Sequence, residues 1–148
     1  MTPQSPHKLG RLLESAIYVQ DTRRAMEFYG RALGLQPLSP PDPEDANPRL
    51  IALDVLGSQV LLLFRRGGSA DGVTFDGGFI PAADAQGTTH FAFAIEAHHY
   101  DGWKTHLLGE GVNIESEVKW ERGGRSLYFR DPDGHLVELA TPGLWRTY

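Results

Sequence analysis

Glu138 stands in the middle of a short aliphatic run, His135-Leu136-Val137-Glu138-Leu139-Ala140, that reads as a β-strand. A carboxylate buried without a partner in such a run is costly or shifts its pKa. It therefore needs a cation, a metal ion or an open cavity beside it; the alternative is an edge strand with Glu138 facing water. Two further side chains of ligating type, Glu14 and His90, each sit at the start of a strand-like segment, residues 12–19 and 89–95. Tyr128 alternates with Ser126 and Arg130 in the strand before that of Glu138, and Tyr18 shares the alternation of Glu14. Either tyrosine can serve as a proton donor or a substrate contact, with core packing as the plainer role. Arg130 suits an anionic substrate, or a pairing with Asp131 or Asp133 in the adjacent turn. His98, His99 and His106 fall on a helical segment and His7 near the N-terminus, all in positions that solvent would reach. His135 precedes Glu138 by three positions, hence points to the opposite face and is not expected as a ligand.

These residues need elements to hold them. Residues 125–139 read as strand, tight turn, strand: Asp131-Pro132-Asp133-Gly134 has Pro second and Gly fourth, as a type I turn prefers. Before it, residues 12–19 alternate as a strand, and Asp21 or Thr22 can cap a helix running to about Leu33, where Gly34 supplies the stop. Residues 35–38 make a short strand, the proline-rich residues 39–48 a loop, and residues 50–55 and 59–64 a hairpin about Leu56-Gly57-Ser58. The first half is thus β-α-β-β-β. The second half repeats it: a strand over 89–95, a helix over 96–110, a strand over 112–120, then the two strands around the Asp-Pro-Asp-Gly turn. The chain reads as an internal duplication. Its expected parts are an arm (1–10), a first module (11–65), a Gly/Asp-rich connecting loop (66–87), a second module (88–142) and a tail (143–148). The loop suits a linker or a lid.

The duplication places Glu14 opposite His90, and Gly57 opposite Gly134, so that Leu61 or Leu62 falls opposite Glu138. In both first strands the face shared with Glu14 or His90 carries small residues, Ala16, Ala92 and Ala94, while Ile17, Phe91 and Phe93 take the other face. Large residues suit packing against helices; small ones suit the wall of a cavity, which makes Ala92 a candidate substrate contact.

Composition narrows the possibilities. The chain has 148 residues, 41% hydrophobic and 22% charged, which fits one globular domain or two small modules sharing a core. A net charge of -5 without a basic run argues against nucleic acid or an anionic membrane as partner. The absence of cysteine excludes disulfides, thiolate nucleophiles and Cys-ligated zinc. No apolar run is long enough to span a bilayer and residues 1–10 lack a signal-like apolar core, so a cytoplasmic protein is expected.

Four stretches taken together resemble the vicinal oxygen chelate superfamily of glyoxalases, extradiol dioxygenases, fosfomycin-resistance enzymes and bleomycin-resistance proteins. They are residues 16–21 (Ala-Ile-Tyr-Val-Gln-Asp), Phe28-Tyr29 through Leu33-Gly34-Leu35, residues 87–93 (Gly-Thr-Thr-His-Phe-Ala-Phe), and Tyr128 through Glu138. The resemblance implies an α+β fold of two βαβββ modules forming a cup-shaped, barrel-like mixed sheet with a metal at its base. It maps metal ligands onto Glu14, His90 and Glu138, with the position of a fourth falling on Leu61 or Leu62. Glu14 stands where the family usually has His or Gln. Such a set suits one divalent ion, Fe, Mn, Ni or Zn, with open positions for two adjacent substrate oxygens. The implied function is a metal-dependent lyase, isomerase, thiol transferase or dioxygenase acting on a small molecule with vicinal oxygens, with ring-cleaving dioxygenase or glyoxalase-like lyase as the leading subtypes. Glu14 and Tyr128 are the catalytic candidates, Tyr18, Ala92 and Arg130 the substrate contacts, and a homodimer the assembly. The alternative from another class is a binding protein that sequesters a cationic drug in an acidic cup without metal.

Overall fold

Asp21 and Gly34 set the limits of the first helix. In the computed structural model, which describes residues 7–148, α1 spans Thr22–Leu33. The Asp21 carboxylate accepts the Arg24 N–H at 3.0 Å. Gly34, at φ 73°, takes the left-handed conformation that a side chain would resist, and its N–H closes on the Gly30 carbonyl at 3.0 Å. One face of α1 buries Thr22, Ala25, Phe28, Tyr29 and Ala32. Of the N-terminal arm, residues 1–6 lie outside the described residues.

Around α1 the first module has β1 (Glu14–Val19), β2 (Gln36–Pro37), β3 (Leu50–Val55) and β4 (Gln59–Arg65), in the sheet order β1-β4-β3-β2. The second module has β7 (His90–Ala94), α2 (Tyr100–Gly109), β8 (Ile114–Lys119), β9 (Arg125–Arg130) and β10 (Leu136–Ala140), in the order β7-β10-β9-β8. The two orders are the same topology. In each, the first strand pairs in parallel with the last and lies at an edge of its sheet. The registers match too: Glu14 lies beside Val60 as His90 lies beside Leu136, and Ala16 lies beside Leu62 as Ala92 lies beside Glu138. Leu62, rather than Leu61, is therefore the counterpart of Glu138. Leu61 is buried in the core instead.

Two elements differ from the sequence reading. The helix expected over 96–110 is a 3-10 turn at Ala97–His99 followed by α2. The connecting loop holds a hairpin, β5 (Val73–Phe75) with β6 (Gly78–Ile80), which exposes Phe75, Phe79 and Ile80. Its signal was Asp76-Gly77 between two β-prone triplets, a turn dipeptide that favours hairpins.

A single apolar core joins the modules. Ile17, Val19, Leu53 and Leu63 from the first sheet meet Leu127, Phe129, Val137 and Leu139 from the second, with Phe28 and Tyr29 between them. The Phe28 ring lies 6.2 Å from Phe129, and Tyr29 lies 6.2 Å from Phe91. Phe91 and Phe93 pack against this core, while Ala92 and Ala94 on the other face stay exposed, so the large and small faces of the first strands divide as expected.

The β9–β10 turn does more than reverse the chain. Asp131 accepts the backbone N–H of Asp133 and His135 through Oδ1, at 3.0 and 2.9 Å, and the Tyr29 hydroxyl of α1 through Oδ2 at 2.7 Å. Asp133 accepts the Gln20 N–H at 2.8 Å and faces Arg24 and Arg66 at 3.5 and 4.0 Å. His135 accepts the Thr89 N–H on Nδ1 at 3.0 Å, which leaves Nε2 to donate to the Tyr18 carbonyl at 2.8 Å. Three residues of one turn thus clasp the first module to the second. Both ring nitrogens of His135 are engaged, Nδ1 within its own module and Nε2 across to the first.

A second close approach fixes the end of the chain. A Cβ on Gly124 would lie 2.7 Å from the Gly143 carbonyl carbon and 2.9 Å from its oxygen, backbone that cannot swing aside. Gly124→Ala is expected to lower the urea unfolding free energy by about 1–3 kcal/mol. Gly109→Ala, where nothing lies within 4 Å, should leave it unchanged or raise it by a few tenths.

Candidate metal centre

β10 is flanked by β7 and β9, which brings Ala92 and Tyr128 to either side of Glu138. Glu138 is 4% exposed, so its charge requires partners. It has two. Ser126, fully buried, donates its hydroxyl to Oε2 at 2.5 Å, and His90 places Nε2 3.1 Å from Oε1. The other nitrogen of His90, Nδ1, lies 3.0 Å from the Leu136 carbonyl. A carbonyl only accepts, so Nδ1 carries the hydrogen, and in the neutral ring Nε2 directs its lone pair at a carboxylate. Two acceptors at 3.1 Å repel unless a proton or a cation lies between them. Donors about 2.0–2.2 Å from a shared divalent ion stand about 3.0–3.5 Å apart, so the pair fits such an ion. The Nδ1–H to carbonyl bond is also the outer support that ligating histidines typically have.

Tyr128 lies on the same face, its ring 6.1 Å from that of His90. Partial burial and then the Glu138 charge raise its hydroxyl above the usual tyrosine range, so it stays protonated as a hydrogen-bond donor. Trp120 donates Nε1–H to the Ser126 hydroxyl at 2.8 Å. Ser126 and Trp120 were not singled out from the sequence, although the alternation that selected Tyr128 puts Ser126 on the same face of β9.

The other candidates are distributed differently. Glu14 is exposed at the start of β1, an edge strand of the other sheet, and its carboxylate does not gather within 4.8 Å of the His90 and Glu138 donors. Within one chain, two of the three expected ligand residues, His90 and Glu138, therefore lie together and Glu14 lies apart. Tyr18, on the face of Glu14, stacks on Phe64 at 5.5 Å, and Arg49 lies over Phe64 at 5.8 Å. Arg130 pairs with Glu115 of β8 at 2.9 and 3.2 Å and donates to the Gly134 carbonyl, rather than to Asp131 or Asp133. An exposed pair of this kind is worth little, so Arg130 remains free to exchange partners. Ala92 lines a cleft of about 410 Å³ formed by β7, by Leu12 and Ser15 about the start of β1, and by the β3–β4 hairpin from Val55 to Leu61.

Among the described residues, Glu96, His98 and His99 form another group whose donor atoms lie within 4.8 Å of one another. Glu96 faces the two rings at 3.3 and 3.4 Å, with all three side chains more than half exposed. The group precedes α2, and the positive end of a helix dipole disfavours a cation there. His106 is engaged with the Arg31 carbonyl at 3.0 Å.

The paired βαβββ topology and the cluster on one face of the second sheet define a class. The chain belongs to the Glyoxalase/Bleomycin resistance protein/Dioxygenase superfamily, whose family model matches residues 9–139. Among solved structures it is similar to lactoylglutathione lyase from Agrobacterium tumefaciens, with a TM-score of 0.81 and 30% identity over 95% of this chain and 99% of that one. Among curated proteins it is similar to metallothiol transferase FosB of Shouchella clausii, 47% identical over 60 residues, and to glutathione transferase FosA of Serratia marcescens, 39% identical over 56 residues. These matches span 38% of this chain, and 40% and 38% of the respective relatives. Among the described residues, no helix is long and apolar enough to cross a membrane.

Proposed function

We propose that the protein is a cytoplasmic, divalent-metal-dependent enzyme that works with a small thiol on a small molecule bearing adjacent oxygens. The observation that carries this reading is the approach of His90 Nε2 to within 3.1 Å of a buried carboxylate while Nδ1 is held at the Leu136 carbonyl, an arrangement suited to a cation. The thiol rests on the names of three relatives, a metallothiol transferase, a glutathione transferase and a lactoylglutathione lyase. The chain has no cysteine, so the thiol must arrive with a substrate.

His90 and Glu138 would hold the ion, which supplies a Lewis acid for a substrate oxygen. Glu14 would complete the set from a second copy of the chain. The edge strands β1 and β7 leave room for this, because Glu14 and His90 occupy equivalent places on two unpaired edges. A homodimer that brings β1 of one copy beside β7 of the other joins the two carboxylates and the imidazole around one cup. Tyr128 donates a hydrogen bond to a bound oxygen, Ala92 gives it space, and Tyr18 with Phe64 offers an apolar platform. Arg130 attracts an anionic group at the rim by exchanging Glu115 for it.

Subunit mixing tests this. Glu14→Ala and His90→Ala homodimers should each lose metal and metal-dependent thiol conjugation or isomerisation. Mixed dimers recover one intact cup of two, hence about half the metal. No recovery on mixing, or full metal retention by Glu14→Ala, would remove Glu14 and the shared cup from the proposal. A wild-type dimer that binds no Mn, Fe, Ni or Zn would sink the enzyme reading as a whole.

A further inference from the structure

The carboxylate of Glu138 is held from behind by a chain of hydrogen bonds whose direction is forced. The Trp120 indole can only donate, so the Ser126 oxygen accepts from it at 2.8 Å. The hydroxyl has one hydrogen, and that hydrogen goes to Glu138 Oε2 at 2.5 Å. Such a bond to an ionised acceptor is of the strong, charge-assisted kind. Ser126 is fully buried, so no water competes for either contact. The backbone beneath is fixed as well: the Tyr100 hydroxyl meets the Ser126 carbonyl at 3.2 Å, and Arg125 lies over the Tyr100 ring at 3.8 Å. The polarity runs one way, Trp120 to Ser126 to Glu138, and ends on the oxygen that faces away from His90.

We infer that Ser126 and Trp120 are positioning residues that restrict Glu138 to a single ligating oxygen, Oε1, and draw charge from the carboxylate through Oε2. This rests on the proposed metal at His90 and Glu138 and adds how that site is tuned. With Oε2 already accepting this bond, Glu138 is disfavoured from closing on an ion through both oxygens, which would keep a coordination position open for substrate. A hydroxyl that is itself a hydrogen-bond acceptor is a better donor, so the Trp120 N–H strengthens the pull on Oε2. The pull offsets part of the charge that two carboxylates bring to a divalent ion, and so preserves its power to polarise a substrate oxygen.

The test is metal affinity together with the fluorescence of Trp120, in the full-length protein carrying Trp103→Phe and Trp145→Phe so that Trp120 is the sole indole. Titration with Zn²⁺ and with Mn²⁺ should shift the Trp120 emission, because the ion changes the charge at the end of the hydrogen-bond chain. Ser126→Ala should weaken Zn²⁺ binding about 10- to 100-fold and abolish the emission shift, the range seen when outer supports of metal ligands are removed. Trp120→Phe, in the otherwise unsubstituted chain, keeps an aromatic ring at this partly exposed position while removing the indole N–H. It should weaken binding about 10-fold with an unchanged melting temperature, which separates positioning from folding even where Ser126→Ala is poorly stable. Wild-type affinity in both variants would overturn the inference while leaving the metal site standing. Wild-type protein that binds none of Zn²⁺, Mn²⁺, Ni²⁺ and Fe²⁺ would overturn both.

Discussion

Replacing His90 with alanine should abolish stoichiometric metal in protein purified without chelator, as read by elemental mass spectrometry. Structural zinc sites with four ligands bind with about 10–16 kcal/mol, about 3 kcal/mol per ligand, so losing one imidazole weakens binding by about 100-fold or more. Glu138→Gln should do the same, since an amide oxygen is a poor substitute for a carboxylate. The two variants differ in the metal-free protein. Glu138 is 4% exposed, and His90 is one of its two partners. His90→Ala removes the imidazole that shares a proton with this buried carboxylate when no ion is bound, and should cost about 1–3 kcal/mol of stability. Adding Glu138→Gln removes the uncompensated charge, so the double variant should be more stable than His90→Ala. A His90→Ala variant that keeps one equivalent of metal would show that the ion sits elsewhere, and Glu96, His98 and His99 would be the next set to substitute.

The second large effect is expected far from any chemistry. Asp131→Ala removes the acceptor of the Tyr29 hydroxyl and of two backbone N–H groups, all at a residue that is 5% exposed. Orphaning three donors around a lost charged acceptor should cost about 3–5 kcal/mol, which lowers the melting temperature of a domain this size by roughly 10 °C. Tyr29→Phe should cost about 1–2 kcal/mol, and the two changes together less than their sum, because they share one hydrogen bond. Tyr29 adds a pH signature. Burial, and then the Asp131 charge, hold its pKa far above the ordinary tyrosine value of about 10. The unfolded chain therefore ionises Tyr29 first. Its contribution is fully present below pH about 10 and declines as pH rises beyond that. Tyr29→Phe should flatten the alkaline limb of a stability profile measured by urea unfolding. An unchanged limb would mean that some other group governs it.

This clasp bears on the proposed assembly. Asp131, Asp133 and His135 hold the modules of one chain together through α1 and the end of β1. The start of β1 and the whole of β7 are left as open edges, with Glu14 and His90 both exposed. A chain tied at one end of β1 and free at the other is suited to receive a second copy at the free end.

The sequence by itself determined what depends on neighbours along the chain. Asp21 and Gly34 marked the ends of α1 through capping and left-handed backbone, and alternation separated Ile17 and Phe91 from Ala16 and Ala92. Pro132 and Gly134 announced the turn, and the repeated order of elements revealed the duplication. Glu138 stood out because burying a carboxylate in an aliphatic strand needs a reason that can be read without coordinates. Tertiary structure decided what depends on register and docking. Pairing of β10 with both β7 and β9 brought His90 and Ser126 to opposite oxygens of Glu138, and no local pattern ties residues that far apart in sequence. The docking of the modules kept Glu14 out of that cluster, since equivalent positions in a duplicated fold lie on different sheets and meet only if those sheets adjoin. It also turned Asp131, Asp133 and His135 from turn residues into the clasp between modules. Propensity is set within a few residues, whereas a site is set by which strands lie side by side.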